Sequence, residues 1–463
     1  MTGWRWAAIP MSGLLLGAGM VSPALAQPSG PAPACTTAGS APTTAVTGSG
    51  PSAATRAAPQ LAPLPLPALP LRTRGNRIVD GRNRDVTLAS VNWYGAEEQD
   101  YIVGGLDRRP LDAIAREVRA LGFNSVRLPW SNALLHDNPV VCDSSVAANP
   151  QLRGKHALAV LDAVVRALGA HGIMVILDNH MTTADWCCLP TDDNNLWYNA
   201  APTPAQPAWL QNFHTAQWLA DWQTMIRHYA GPRYRNVIAA DLRNEPRGGA
   251  VWGTQTGPSP GCQPPAQDHP DWHDAAQRGA ACVLAANPNL LVMVEGVAYS
   301  LNLTGAAAAP VVLPAGHDHQ LVYSPHDYSQ DQAADVNADP VRLAAQLNQY
   351  WGFLASGAAP TPIWVGEFGT CHAAQLQCGD NHDHAHEWIV NLSSYLTTNH
   401  FSWGWWPLNG TQSRGITRVA GAEETFGVLD TTWSCEAQPD LTAFLAHLPG
   451  AARGASLPCS PRR

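Results

Sequence analysis

No apolar run in this chain reaches the roughly 20 residues that a membrane-spanning helix needs. The longest candidate, around Met11 to Met20, stops short of it. Phosphate-binding glycine loops, dinucleotide fingerprints and internal repeats are missing as well, which removes nucleotide-dependent and solenoid readings. Basic charge is scarce. The first 70 residues hold only Arg5 and Arg56 among charged groups, so the remainder carries 25 Lys plus Arg against 36 Asp plus Glu. Such a balance suits neither nucleic acid nor an anionic membrane, so stable membrane association is not expected, and a neutral ligand such as sugar is compatible with it. Phenylalanine is rare, with 7 residues, whereas tryptophan reaches 18. An indole ring can stack on the apolar face of a pyranose while its N–H bonds a hydroxyl. About half of these rings are expected to fill the core instead.

The 463 residues suffice for one large domain. Residues 1–26 combine Arg5, an apolar stretch and the small-x-small pattern Ala24-Leu25-Ala26, which predicts a signal peptide and export, to the periplasm or outside the cell. Residues 27–70 are Pro, Ala, Ser, Thr and Gly with almost no charge, a linker or disordered tail. The folded domain is expected over 71–450 and a short tail over 451–463. Ten cysteines in an exported chain favour disulfides over metal sites. Cys371 and Cys378 are spaced to close a short loop. Cys187 and Cys188 are adjacent and are expected to reach different partners, with Cys142, Cys262 and Cys282 as candidates.

Apolar runs ending in polar groups recur along the chain. Val237–Leu242 is small and branched, suited to burial on both faces, and ends in Asn244, Glu245 and the strand-stopping Pro246. Ile363–Gly369 repeats the design with Glu367. Strands are read likewise at Val86–Tyr94, Asn124–Pro129, Ile173–His180, Leu290–Gly296, Leu321–Tyr328 and Phe401–Leu408, preceded by a hairpin over Ile78–Asp85. Between them, helical spacing marks Ile114–Leu121, Ala157–Leu168, Trp209–Tyr229, Trp272–Ala286 and Val341–Leu354. Arg127 is a charge in an apolar strand and needs anionic partners. Two carboxylates at two strand ends can divide nucleophile and acid/base roles. Glu295 is expected to serve a nearby cation, while Glu97 and Glu98 read as solvated loop residues. His317, His319, His382, His384 and His386 lack a helix-borne ligand pattern and read as loop histidines rather than a metal site.

The motifs Asn244-Glu245-Pro246 and Gly366-Glu367-Phe368-Gly369, with Val126-Arg127-Leu128-Pro129, Asp178-Asn179-His180 and His326-Asp327-Tyr328, resemble those of glycoside hydrolase family 5, the cellulase family, over roughly residues 75–445. The resemblance implies a single (β/α)8 barrel and hydrolysis of a β-1,4-glucan with retention, acting as an endoglucanase. It implies Glu367 as nucleophile, held by Arg127 and Tyr328, and Glu245 as acid/base. Asn244 would bond the 2-hydroxyl, His326 and His180 would serve the same mouth, Trp93 would line the cleft, and Trp406 would lie under the sugar, with Trp405 as the alternative register. No metal or organic cofactor is implied, and a monomer is expected. Asn179, Arg243 and the Trp186-Cys187-Cys188 loop depart from the commonest cellulase pattern. A β-mannanase or another β-glycosidase of the same clan is therefore the second reading, and a sugar-binding protein on an inactive barrel the third. Leu196-Trp197-Tyr198 is read either as a stacking platform or as a staple for its loop.

Overall fold

A computed structural model of the chain describes residues 65–188, 194–371 and 384–452. The expected signal peptide, most of the linker, the C-terminal tail beyond residue 452 and Cys378 lie outside the described residues. Eight parallel strands form the sheet: β1 Ala89–Asn92, β2 Ser125–Ser131, β3 Met174–Met181, β4 Val237–Asp241, β5 Leu291–Glu295, β6 Leu321–Ser324, β7 Trp364–Phe368 and β8 Ser402–Trp405. They neighbour one another in chain order, and β8 pairs with β1 as well as β7. The remaining gap between β6 and β7 is bridged at Tyr323–Ile363 and His326–Glu367. This nearly closed barrel matches the expected fold. The strand read to Tyr328 stops at Ser324, and the stretch beyond it supplies the second bridge instead.

Period-two alternation divides the strands into two packing layers. Met174 and Ile176 of β3 point into the barrel with Ile238, Leu291, Met293 and Trp364. Val175 and Leu177 face the other way, into the larger cluster shared with the helices. The floor is closed by an antiparallel hairpin, Arg72–Arg74 with Arg77–Val79, which places Leu71 and Ile78 in the inner cluster. That plug begins several residues earlier than the sequence suggested. Above the apolar layer, the same inward positions become polar: Asn92, Arg127, Asp178, Asp241 and Glu295 are all fully buried.

Helices Leu111–Ala120, Ala157–Ala170, Trp272–Ala286 and Pro340–Tyr350 fall close to their expected places. Gly122 stops the first of these in the left-handed region, at φ 93°, as its position implied. The single helix expected over 209–229 is instead broken into Ala208–Gln211 and Thr215–His228. His214 explains the break, because its side chain and that of Gln217 form a reciprocal cap that starts a new helix. Cys262 and Cys282 are bonded to each other rather than to the 187–188 pair, with Cα atoms 4.6 Å apart. Cys371 is disulfide-bonded.

Candidate active site

β2 carries Arg127 to the centre of the barrel mouth, with no exposed surface. Its Nε donates to Asp241 at 2.9 Å, and Nη1 donates to Asn92 at 3.1 Å and to Oε1 of Glu367. Nη2 donates to Asn244 at 2.9 Å and Glu295 at 3.0 Å, and lies 3.1 Å from Asp178. One guanidinium thus faces four carboxylates, drawn from β3, β4, β5 and β7. Burial pushes Asp178 and Asp241 up to about 7, against the opposing pull of Arg127. Burial and Asp241 also push Glu295 well above its ordinary value. Protons retained on these groups relieve the repulsion that four buried carboxylates would suffer around a single cation. Glu295 therefore meets the cation expected for it.

Glu367 ends β7, where Tyr328 donates its hydroxyl to Oε2 at 3.1 Å. Burial and the adjacent Glu367 hold that phenol well above its ordinary range, so it remains a donor. Glu245 follows β4 with φ 48°, a left-handed turn that aims its side chain across the mouth. Its backbone N–H donates to Glu295 at 2.7 Å. His326 Nδ1 lies 3.0 Å from Glu245 Oε1 and 3.7 Å from Glu367 Oε2. Burial pushes this imidazole down to about 3, so it is neutral. A neutral ring can donate to an ionised Glu245 or accept from a protonated one, according to tautomer. Oxygens of Glu245 and Glu367 come within 4.8 Å of each other.

A cleft of about 480 Å³ opens above these groups, bordered by His180, Glu245, Glu367, Tyr328 and Trp406. A second hollow, of about 280 Å³, lies on the floor side beside Ile78 and His400 and contains none of them. His180 Nδ1 is 2.6 Å from Asp178, and burial holds the ring neutral. Trp406 stacks near-parallel to His180 at 5.6 Å and to Tyr94 at 5.3 Å. Trp405 is fully buried, with its N–H on the Phe426 carbonyl, so the cleft register falls on Trp406.

Several expectations change. Trp93 does not line the cleft: it is fully buried, and its N–H donates to the Gly104 carbonyl at 3.1 Å. Glu97 and Glu98 are not solvated but buried; burial pushes Glu97 up to about 8 and holds Glu98 well above its ordinary value too. The loop after β1 turns inward under the segment bearing Arg418, and a charge count along it gives no hint of that. Trp197 is buried against Trp218 and Trp272, and Tyr198 against Trp197, a staple rather than a platform. Arg243 and Asn179 also face inward: Arg243 donates to the carbonyls of Asn194 and Leu196, pinning that loop. Cys187 and Cys188, expected to find separate partners, are joined to each other. A cis peptide between them brings their Cα atoms to 3.1 Å, closer than a trans bond permits.

Sequence reading passed over Asp178 and Asp241 as functional groups, although a charge in an apolar strand was the signal that picked out Arg127. It also passed over Arg418, which lies 3.7 Å over the Trp186 ring and pairs with Glu424 at the cleft edge.

Residues 81–412 match the family model described as Cellulase (glycosyl hydrolase family 5). An endoglucanase of Paenibacillus polymyxa is 31% identical over 355 residues, spanning 73% of this chain and 79% of the relative. The major extracellular endoglucanase of Xanthomonas campestris pv. campestris is 30% identical over 387 residues, 79% of this chain and 68% of that protein. The solved catalytic domain of that enzyme superposes with a TM-score of 0.65 at 26% identity, covering 81% of this chain and 98% of the domain. A hyperthermophilic endocellulase from Pyrococcus horikoshii gives 0.64 at 25% identity, covering 83% and 99%. With its barrel, its strand-end carboxylates and these matches, the chain belongs to the cellulase family, glycosyl hydrolase family 5.

Proposed function

We propose that this chain is an endo-β-1,4-glucanase that works with retention, Glu367 acting as nucleophile and Glu245 as acid/base. The observation that carries the reading is the pair of carboxylates within 4.8 Å across the cleft, Glu367 held by Tyr328 and Glu245 by His326. Retaining enzymes place these groups about 5–5.5 Å apart, whereas an inserted water requires about 6.5–9.5 Å. Glu367 attacks the anomeric carbon as the glycosidic C–O bond breaks, and Glu245 delivers its proton to the departing oxygen. Water then attacks the glycosyl-enzyme, yielding its proton to Glu245 and releasing Glu367. Arg127 and Tyr328 hold the nucleophile, His326 follows the proton state of Glu245, and Asn244 reaches toward the 2-hydroxyl, a bond that strengthens as the oxocarbenium-like state develops. Trp406 and His180 floor the sugar site.

The names of the Paenibacillus and Xanthomonas relatives support a glucan over a mannan. Reducing-sugar release and viscosity on a soluble cellulose derivative, mixed-linkage β-glucan and mannan test both substrate and mode. Rapid viscosity loss on the cellulose derivative is expected, with Glu367→Gln down at least about 10³-fold while sugar binding persists. Near-normal turnover by Glu367→Gln would remove it as nucleophile. Activity confined to mannan would keep the chemistry and replace the substrate. Export by a peptide cleaved after residue 26 is part of the same reading, supported by the extracellular Xanthomonas relative. N-terminal sequencing of the mature protein checks it.

A further inference from the structure

In the loop after β8, Arg418 is turned inward while its neighbours Ile416 and Val419 face solvent, 45% and 68% exposed. The Arg418 side chain keeps only 12% of its surface. Burial alone would favour the opposite arrangement, because apolar surface gains by leaving water and a guanidinium loses by it. The turn inward is made at Thr417, which sits at φ 63°, in the left-handed region that β-branched residues avoid. Backbone bonds hold the loop in this form, from Gln412 N–H to the Ala422 carbonyl at 2.8 Å and from Gly421 N–H to the Gln412 carbonyl at 2.9 Å.

The guanidinium reaches the rings that support the sugar floor. Its Nη2 donates to the Tyr94 hydroxyl at 2.9 Å, and that hydroxyl donates in turn to Oε2 of Glu424 at 2.7 Å. Burial and Glu424 hold the phenol well above its ordinary range, so it keeps its proton and fills both roles. Tyr94 is fully buried and stacks on Trp406 at 5.3 Å, the two planes 13° apart. The guanidinium carbon also lies 3.7 Å from the centre of the Trp186 ring, which meets Tyr94 at 5.5 Å and Trp406 at 6.1 Å. A ring stack constrains spacing more than in-plane position, and the bond at the phenol end supplies the second constraint.

We propose that Arg418 is a positioning residue for Trp406: it holds Tyr94 by the hydroxyl and Trp186 by the ring face, and so sets the plane on which the sugar rests. The inference rests on Trp406 as the floor of the sugar site. An ammonium could reach the hydroxyl but could not also lie flat on the indole.

The experiment uses the intact enzyme on a β-1,4-glucan oligosaccharide. Tyr94→Phe removes the held hydroxyl and keeps the ring; Arg418→Met removes the charge and keeps the stem. Each is expected to lower kcat/KM about tenfold, mostly as a rise in KM with kcat within about threefold, because Arg127 and the two glutamates stay in place. A smaller folded fraction would do the reverse, lowering kcat at constant KM. The double variant should lose no more than either single one, since both cut the same link. Arg418→Lys should stay near the Arg418→Met value. Should Arg418→Met fail to fold, Tyr94→Phe decides alone, because it leaves the Arg418–Glu424 pair whole. Parent-like KM in Tyr94→Phe, or losses that multiply to about a hundredfold in the double variant, would overturn the proposal. Trp406→Ala separates the two readings. It should lose at least as much as Tyr94→Phe; if it keeps the parent's kinetics, the floor assignment fails and the proposal with it, whereas a loss there with none in Tyr94→Phe overturns the proposal alone.

Discussion

Arg127 directs every nitrogen of its guanidinium at a named acceptor inside the barrel, and that geometry cannot be met by an ammonium. A lysine at this position would carry the same charge but could not span Asp241, Glu295 and Glu367 from one plane. Arg127→Lys should therefore lower kcat by about 10²-fold with a smaller effect on KM, because the nucleophile is held less well while the cleft walls stay intact. Steady-state kinetics with circular dichroism as a folding control tests this, and a rise in KM alone would place Arg127 in substrate binding. At this scale the sequence was informative at Arg127, where a charge interrupts an apolar strand, though the same signal at Asp178 and Asp241 was not used. It misled where the charge lay in a loop, as with Glu97 and Glu98, read as solvated yet buried, because loop residues become buried only when another segment covers them.

The floor hairpin is an element with a packing role and no contact with the chemistry. Ile78 is 3% exposed and fills the inner layer beside Met174, Ile238 and Trp364. Ile78→Ala should leave a cavity and cost about 2–5 kcal/mol of stability, with kcat unchanged at temperatures where the variant is folded. Denaturant unfolding measures the first and turnover on the soluble substrate the second; a large loss of kcat would mean that the floor is coupled to the mouth. All eight barrel strands were readable from short apolar runs with turn residues between them. The helix split at His214 was not, because the cap depends on a side-chain exchange with Gln217 that leaves the helical pattern on both sides intact. The vicinal disulfide was unreadable for a related reason: adjacency argues against pairing until the peptide geometry is known.

Across the whole molecule, carboxyl burial gives stability a pH dependence of definite sign. Asp178, Asp241, Glu117 and Asp327 are raised to about 7 and Glu97 to about 8, each chiefly by burial. Such groups bind protons more tightly folded than unfolded, so their contribution is complete below about pH 4 and is lost as pH rises through 7 to 8. His326, lowered to about 3, and His180 act oppositely, losing stability as pH falls below about 6.5. The carboxyls outnumber the histidines. Calorimetry should therefore find a lower melting temperature at about pH 8.5 than at about pH 5.5, and the reverse order would mean that these carboxyls are ionised in the fold. What the sequence by itself determined is the set of strands, their order, and the two glutamates at the ends of β4 and β7, because local patterning and covalent position carry that information. Only the tertiary structure decided which polar groups share a guanidinium, which tryptophan faces the cleft, and which cysteines meet. Those outcomes depend on distances between segments far apart in the chain, and they are fixed when the barrel closes.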